Sequence, residues 1–330
     1  MPYNSLIDRT EAGALIPEEI SREIIQGVVE RSVVLRMARR LPNMTAGQQK
    51  LPVMSALPSA YFVSGDTGLK QTSEAAWQNK YLVAEEVAVI VPIPEAVLDD
   101  ASYDIWGEIR PRIEEAFGQV IDQAVLLGTG IPSSWNTNMG GAGILGAAPS
   151  AHKVDLSNAE GAGKDLYDVI LGDGGVFALV EEDGFRVNGV VAALAMRSKL
   201  RGLREKVYNG TGLVASGAPV FTNSMQEPNR YLLDGVPIEF PGNGAIDPAS
   251  ALLIAGDFSN LVYSILQDVT YKVLTEAVIT DNTNAIVYNL AQQDMVALRA
   301  VMRLGVALPN PATKANPNAS TRFPFAALVP

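Results

Sequence analysis

The sequence has no cysteine and only one histidine, His152. Disulfide bonds and thiolate metal sites are therefore excluded. A metal site or a paired nucleophile that depends on histidine has little support for the same reason. The absence of cysteine is compatible with a reducing cytoplasm.

Charged residues are scarce, at 18% of the chain against roughly a quarter in typical soluble domains. The formal net charge is −11. A protein that holds DNA tightly needs a basic stripe that neutralises phosphates, and none is present. The densest basic cluster, Arg36, Arg39 and Arg40, is interpreted as the solvated face of a helix. The low charge indicates a surface that is largely covered by other protein.

Long hydrophobic runs are also missing. The longest lie at 87–94 and 189–196, far short of the roughly 20 residues that a membrane helix needs. Residues 1–8 lack the basic start and apolar core of a signal peptide. We therefore expect no membrane partner and a soluble protein that is made and used without export.

The short motifs that resemble catalytic or binding signatures lack the required context. The sequence GAGILG at 141–146 matches a dinucleotide fingerprint, but that fingerprint needs a strand before it and a helix after it, and a loop is predicted over 140–150. His152 is predicted in a polar loop. Residues 281–284 are predicted to form a turn because the spacing of an EF-hand is absent. We therefore assign no catalytic, cofactor-binding or metal residues, and we predict that the protein is not an enzyme.

A long hairpin is predicted over residues 45–80. Short strands are expected at 48–54 and 59–63, with a turn at Gly65 and Gly68. The segment has too few large apolar residues for a core of its own, and an isolated hairpin is marginal in water. It is therefore expected to lie on a neighbouring subunit.

Other segments show helical or strand periodicity. Alternation predicts one long strand over 77–93 with a wetter face at the even positions. An apolar stripe predicts a long helix over 105–127, with a kink or a new start at Pro111. Further predictions are helices at 17–41, 95–100, 165–182 and 193–207 (with Leu194, Leu200 and Leu203 inward), strands at 232–240, 251–255, 271–275 and 285–308, and a proline-rich surface strap at 309–330.

Short motifs punctuate these elements in a characteristic order. They are LIPEEI at 15–20, KLPV at 50–53, EAAW at 74–77, VPIPEAVLDD at 91–100, LGTG at 127–130, GIL at 143–145, a segment at 195–208 followed by Gly210, IAGDFS at 254–259, MR at 302–303 and VALPNP at 306–311. Each is weak alone, but their order and spacing are specific. In them the chain resembles, over nearly its whole length, the major capsid proteins of tailed bacteriophages with the Hong Kong 97-type fold.

The resemblance implies an α+β fold with an N-terminal arm, an extended β-hairpin loop, a peripheral domain with a long spine helix, and an axial domain. The corresponding divisions are the arm at 1–44, the extended loop at 45–85, the peripheral domain at 86–165, a mainly axial domain at 166–270, return strands to the peripheral domain at 271–308, and a C-terminal tail at 309–330.

The resemblance also implies a function. Copies of the chain would form hexamers and pentamers of an icosahedral head that encloses double-stranded DNA without reading its sequence. Portal and scaffolding proteins are implied partners, and a decoration protein is a further candidate. The arm motif begins at Leu15, so any scaffolding is expected from another protein or from a segment already removed. The chain would reside in the virion after assembly in the host cytoplasm.

Two alternatives remain open from the sequence. An encapsulin-type nanocompartment shell protein shares the fold and would be accompanied by a cargo enzyme. A soluble α/β enzyme would need a convergent polar site, which the sequence does not show.

The resemblance raises the question of covalent cross-links. In the type case of the family, a lysine of the extended loop bonds to an asparagine with the help of a nearby glutamate. Alignment on the motifs at 302–311 puts Asp294 and Val301 at the asparagine and glutamate positions. A carboxylate is a poor acylating group and valine cannot accept a proton, so Lys70 and Lys80 lack a partner. We therefore expect a non-covalent shell.

Overall fold

A computed structural model describes residues 32–63, 68–100, 104–161, 164–208, 213–223, 231–281 and 283–330. The motif at 15–20, most of the predicted arm and helix before residue 32, and the predicted turn residue Gly65 lie outside the described residues.

The strands of the described chain are short, apart from two of thirteen residues each. They are β1 (Arg39–Arg40), β2 (Gln48–Ala56), β3 (Ala76–Val83), β4 (Glu85–Pro94), β5 (Lys153–Asp155), β6 (Gly189–Ala192), β7 (Arg204–Tyr208), β8 (Leu213–Pro219), β9 (Phe221–Asn223), β10 (Tyr231–Leu233), β11 (Val236–Glu239), β12 (Leu253–Gly256), β13 (Val262–Leu274), β14 (Val278–Thr280), β15 (Ile286–Asn289), β16 (Met295–Ala307) and β17 (Phe325–Val329).

One helix is much longer than the others. The α-helices are α1 (Val33–Met37), α2 (Glu95–Asp100), α3 (Ile105–Asp122), α4 (Ser133–Met139), α5 (Gly143–Ala147), α6 (Leu156–Gly161), α7 (Leu166–Leu171), α8 (Val176–Glu182) and α9 (Met196–Arg201). A turn of π-helix, Gln123–Leu127, follows α3, and 3-10 turns occur at Ser150–His152 and Phe258–Asn260.

A four-stranded sheet in the order β1-β13-β16-β4 has one covered face. β13 and β4 are antiparallel to β16, and β1 is parallel to β13. Along β4, Val87, Val89 and Val91 pack against the core, whereas Glu86 and Ile90 are exposed. This is the alternation expected of a strand with one buried face.

The long helix α3 packs on the covered face of that sheet. Ile113, Phe117 and Ile121 recur every fourth residue and are buried in the same core as the β4 valines. The helix runs unbroken through Pro111, so a new helix start at that position is wrong. The carbonyl that loses its partner to proline belongs to Gly107, which is exposed and can bind water.

The predicted end of the long helix at 128–130 is confirmed. The π-helical turn Gln123–Leu127 stops at Gly128, whose φ is +77°. A Cβ at Gly128 would lie 2.3 Å from the backbone carbonyl carbon of Ala142. The backbone at the start of α5 therefore approaches closely enough to require glycine.

A seven-stranded sheet has the order β5-β17-β12-β6-β11-β10-β9, and its strands β6, β12 and β17 are buried on both faces. In β6 and β12, Val191 and Ile254 contact the core that contains α3. Val190 and Leu253 point to a second core, formed with α7, α8 and α9. Strands covered on both sides are apolar at every position, which is why these segments appear in the sequence as uniform hydrophobic runs.

The predicted surface strap at 309–330 is wrong in its last part. β17 lies between β5 and β12, and Phe325 and Leu328 are fully buried. The prolines of the segment suggested an irregular strap, but they all lie outside the strand itself. Residues 325–329 therefore form an internal strand of the sheet and not a surface strap.

The hairpin predicted over 45–80 is confirmed, because β2 pairs antiparallel with β3. The single strand predicted over 77–93 is wrong. It divides at Ala84 into β3, which pairs with β2, and β4, which pairs with β16. The strand predicted at 59–63 is also wrong, since that described stretch has no regular structure.

Two other regions differ from the sequence-based predictions. The loop predicted over 140–150 contains α5 and the start of a 3-10 turn. The helix predicted over 165–182 is divided into α7 and α8 at Gly172–Gly175. A Cβ at Gly172 would lie 2.6 Å from the carbonyl oxygen of Asp168, so the chain folds back on itself tightly there.

The helix predicted over 193–207 is shorter than expected. It is limited to α9, and β7 follows it in the place of the last helical turns. Leu200 and Leu203 are buried as predicted, but Leu194 is 55% exposed because it precedes the helix.

The basic cluster near residue 40 does not form one helix face. α1 ends at Met37, because Ala38 is extended. Arg39 and Arg40 form β1 beside the start of β13. Arg36 makes an ion pair with Glu239 at 2.8 Å.

The remaining element predictions agree with the structure in type. The helix at 95–100 and the strands at 251–255 and 271–275 are confirmed as α2, β12 and part of β13. The stretches predicted at 232–240 and 285–308 are extended, but a turn divides each into two strands, β10 with β11 and β15 with β16. The domain divisions stay a prediction. β13 continues without a break across the predicted boundary at residue 270.

A buried carboxylate fastens α1 to the end of α3. Asp122 is fully buried. It accepts hydrogen bonds from the Ser32 hydroxyl at 2.5 Å and from the backbone N–H groups of Val33 and Val34 at 2.9 and 3.0 Å. These N–H groups are the free donors at the start of α1, so the carboxylate caps that helix from another element.

Burial raises the pKa of Asp122 above its ordinary value of 3.8, although the hydrogen bonds from Ser32 and Val33 oppose the change. The folded chain therefore binds this proton more tightly than the unfolded chain. The resulting stability is complete below pH 3.8 and is lost as the pH rises through the raised pKa. Chemical denaturation of unassembled protein measures this effect. As the pH increases through the raised pKa, the free energy of unfolding of wild type should fall relative to that of Asp122→Asn. Asp99→Asn, at an exposed position of α2, is the control. A constant difference between wild type and Asp122→Asn at all pH values would contradict the expectation.

Candidate functional site

The described residues contain no group of three or more histidine, cysteine, aspartate or glutamate side chains that could hold a metal ion. The described helices are also too short or too polar to cross a membrane. The sequence GAGILG at 141–146 lies in the turn between α4 and α5 and in α5 itself. A Cβ at Gly141 would be 2.7 Å from the Cα of Ala147. These glycines therefore permit close backbone packing.

His152 is not in a solvated loop, contrary to the sequence-based prediction. It is 4% exposed, and its Nε2 lies 2.9 Å from Oδ2 of Asp183. Asp183 also accepts from the backbone N–H of Phe323 and from the side chain of Asn316. The histidine belongs to a buried structural cluster.

The candidate calcium loop at 281–284 is a turn closed by its own aspartate. Oδ1 of Asp281 accepts from the N–H and hydroxyl of Thr283 and from the N–H of Ala285, at 2.7 to 3.0 Å. These hydrogen bonds lower the pKa of Asp281. Such an oxygen is already saturated by local donors.

One face of the β2–β3 hairpin carries two exposed aromatic side chains. Cross-strand partners share a face of the hairpin. One face carries the pairs Lys50–Tyr81 and Pro52–Asn79, and Trp77 is the next residue of β3 on that face. Trp77 is 64% exposed and Tyr81 is 38% exposed. We call Lys50, Pro52, Trp77, Asn79 and Tyr81 the free face of the hairpin.

The opposite face is anchored near the base of the hairpin. Leu82 is fully buried with Met44, Val262 and Ala307. The indole N–H of Trp135 donates to the carbonyl of Val83 at 2.9 Å. The base of the hairpin is thus packed on one side, and the free face is left open.

Two further groups of large apolar side chains are exposed. Beyond the strands of the hairpin, Phe62 is fully exposed and Leu69 is 89% exposed. On the separate sheet of β14 and β15, Val278 and Ile286 are 53% and 68% exposed. Clusters of exposed apolar side chains are candidates for interaction sites.

The free face does not follow from the alternation in the sequence. The alternation over 77–93 placed the wetter face at the even positions, but Leu82 is buried and Trp77 is exposed. The predicted orientation holds only for β4, where Val87 and Val89 contact the core. The sequence does contain a signal for this face. Trp77 and Tyr81 lie four positions apart, and therefore on one side of a strand, in a hairpin with too few apolar residues for a core of its own.

The residues considered for a cross-link lie in ordinary structural positions. Asp294 occupies a turn with φ +48°, and its carbonyl accepts from the N–H of Glu95 at 2.9 Å. Val301 lies in the middle of β16, opposite Thr270 of β13. Lys80 faces Leu51 across the hairpin.

Comparison with known proteins gives one consistent result. The model of the Phage capsid family matches residues 12–313. The major capsid protein of Staphylococcus phage 80alpha is 29% identical over 307 residues, which cover 92% of this chain and 85% of that protein.

Solved structures agree with the sequence comparison. A chain from Microbacterium phage Oxtober96 is 35% identical with a TM-score of 0.78, and the match covers 99% of this chain and all of that chain. A chain from Mycobacterium phage Cain is 29% identical with a TM-score of 0.75 and covers 99% of both chains. The mixed helix and strand fold is therefore shared along the whole length.

The two sides of β3 should respond differently to truncation. Leu82→Ala removes a fully buried side chain and should lower the free energy of unfolding by about 2–5 kcal/mol. Trp77→Ala alters an exposed side chain of the same strand and should change it by less than about 0.5 kcal/mol. Chemical denaturation of unassembled protein measures both values. Equal losses would mean that the free face is covered within the subunit.

Proposed function

The chain belongs to the Phage capsid family, and from that membership we propose that it is a structural subunit that assembles into hexamers and pentamers of an icosahedral phage head. The head would enclose double-stranded DNA, and the chain would have no enzymatic role. The observation that carries the proposal is the free face of the hairpin, an apolar surface that its own chain leaves open.

The energetics of the hairpin support an intersubunit role. A two-stranded hairpin is marginally stable when it is isolated in water. Here the base is fixed by Leu82, but Trp77 and Tyr81 stay exposed. Covering these aromatic side chains with a second copy would remove apolar area from water at roughly 25 cal/mol per Å². Aromatic residues of this kind are enriched in protein interfaces.

The proposed architecture is the Hong Kong 97-type fold. In it the hairpin is the extended loop, α3 is the spine helix of the peripheral domain, and the seven-stranded sheet is the centre of the axial domain. The packing of the unbroken helix α3 on the covered face of the four-stranded sheet supports this assignment, because the resemblance implies a long helix in the peripheral domain.

The charge of the chain supports a container for DNA. A net charge of −11 disfavours binding to the negatively charged phosphates of DNA. Packaged DNA could then move along the wall during filling and ejection. Portal and scaffolding proteins, and a decoration protein, are proposed partners on the basis of family membership alone. Purified particles should contain DNA, whereas particles that contain a protein cargo would favour a nanocompartment shell.

Shortening the hairpin should separate folding from assembly. Deleting residues 52–76 and closing the chain with a short Gly-Ser link keeps Leu51 and Leu82 at the base. The core should stay folded by circular dichroism, while sedimentation and electron microscopy should show no closed shells. Trp77→Ser is the finer variant and should reduce assembly, with Lys199→Ser at an exposed site on α9 as its control. Normal shells from the deletion variant would remove the hairpin from the assembly mechanism.

We also propose a shell without covalent cross-links. Asp294 is a carboxylate, which is a poor acylating group, and Val301 cannot accept the proton of an attacking amine. Boiled mature particles should therefore give one band at the chain mass of 35.1 kDa on a denaturing gel. A ladder of covalent pentamers and hexamers would contradict this claim and leave the family assignment unaffected.

A further inference from the structure

Residues 309–323 connect the end of β16 to the start of β17, and we call them the bridge segment. We propose that the bridge segment sets the angle of the hairpin relative to the seven-stranded sheet, and that it is held by four positioning residues, Asp183, Thr313, Lys314 and Asn316. The contacts that carry this inference lie within one subunit. Only its consequence for assembly rests on the proposed function of the hairpin.

The bridge segment touches the outer part of the hairpin at two points. The N–H of Ala312 donates to the carbonyl of Met54 at 3.0 Å. The ammonium group of Lys314 donates to the carbonyl of Pro58. Both acceptors lie on the β2 side of the hairpin, beyond the base that is packed around Leu82. These contacts therefore hold the hairpin near the outer end of β2, away from its packed base.

The other side of the bridge segment is fixed to the end of α8 through Asp183. The Thr313 hydroxyl donates to the Asp183 backbone carbonyl at 2.6 Å. The Asn316 side chain donates to Oδ1 at 2.7 Å, and the Phe323 N–H donates to Oδ2 at 2.7 Å. His152 approaches the same Oδ2 at 2.9 Å. A buried carboxylate with this many donors holds its partners in one arrangement.

Arg322 closes the segment into a loop. It is 2% exposed, and its guanidinium donates to the carbonyls of Asn310 and Asn316 at 3.1 and 3.0 Å. The Asn310 side chain donates in return to the carbonyl of Arg322 at 2.9 Å. Burial lowers the pKa of Arg322, and the charge of Asp183 opposes that change. The two ends of the bridge segment are thus tied to each other.

The segment is built to be stiff. Pro309, Pro311 and Pro317 fix φ at three of its positions. It also lies close against α8, because a Cβ at Gly184, where φ is +81°, would be 3.0 Å from the Cβ of Ala315. The bridge segment is therefore a stiff link between Asp183 at the end of α8 and Met54 of the hairpin. Such a link fixes the orientation of the hairpin relative to the seven-stranded sheet.

Double electron–electron resonance on unassembled subunits measures this angle directly. Because the chain has no cysteine, Asn79→Cys on the hairpin and Lys199→Cys on α9 place two spin labels without side reactions. The parent should give one narrow distance distribution. Lys314→Met, Thr313→Val and Asn316→Ala should each raise the population at other distances by about fivefold, the effect expected for one hydrogen bond.

The controls separate positioning from stability. Lys70→Met changes an exposed lysine on the hairpin itself, and Thr313→Ser keeps the hydroxyl, so both should retain the narrow distribution. Lys314 is exposed, so its variant folds even where Asn316→Ala does not. A distribution that stays narrow in Lys314→Met and Thr313→Val overturns the inference. Because the measurement uses unassembled subunits, a failure of shell formation tests the proposed function separately.

Discussion

The packing of α3 on the covered face of the four-stranded sheet holds together elements that lie far apart in the sequence. Ile113, Phe117 and Ile121 meet the valines of β4 and the apolar residues of β16 in one core. The same core reaches Val191 and Ile254 of the seven-stranded sheet. The hairpin, the bridge segment and α1 all attach to this layer, so their positions depend on it.

Two buried carboxylates supply the local fastening that a chain without cysteine cannot obtain from disulfides. Asp122 caps α1 from the end of α3, and Asp183 gathers the bridge segment at the end of α8. Each joins segments about 90 to 130 residues apart through several hydrogen bonds to one charged group, which are stronger than neutral ones. Such contacts can be loosened without breaking a covalent bond.

Local patterns predicted the elements whose partners are close in sequence. The hairpin, α2 and the end of the long helix at Gly128 follow from alternation, periodicity and a required left-handed glycine. The division at Ala84 could not be predicted, because it depends on β4 pairing with β16 some 200 residues later. β17 was not predicted because a strand that is buried on both faces shows no alternation. The cluster around His152 was not predicted because a lone histidine does not identify its distant carboxylate partner.

The central claim is that the free face of the hairpin is completed by another copy of the chain. A reconstruction of purified particles by electron cryo-microscopy tests it most directly. The account predicts closed icosahedral shells in which Trp77 and Tyr81 are covered by a neighbouring subunit. Shells in which both side chains face solvent, or hairpins folded back onto their own subunits, would contradict it.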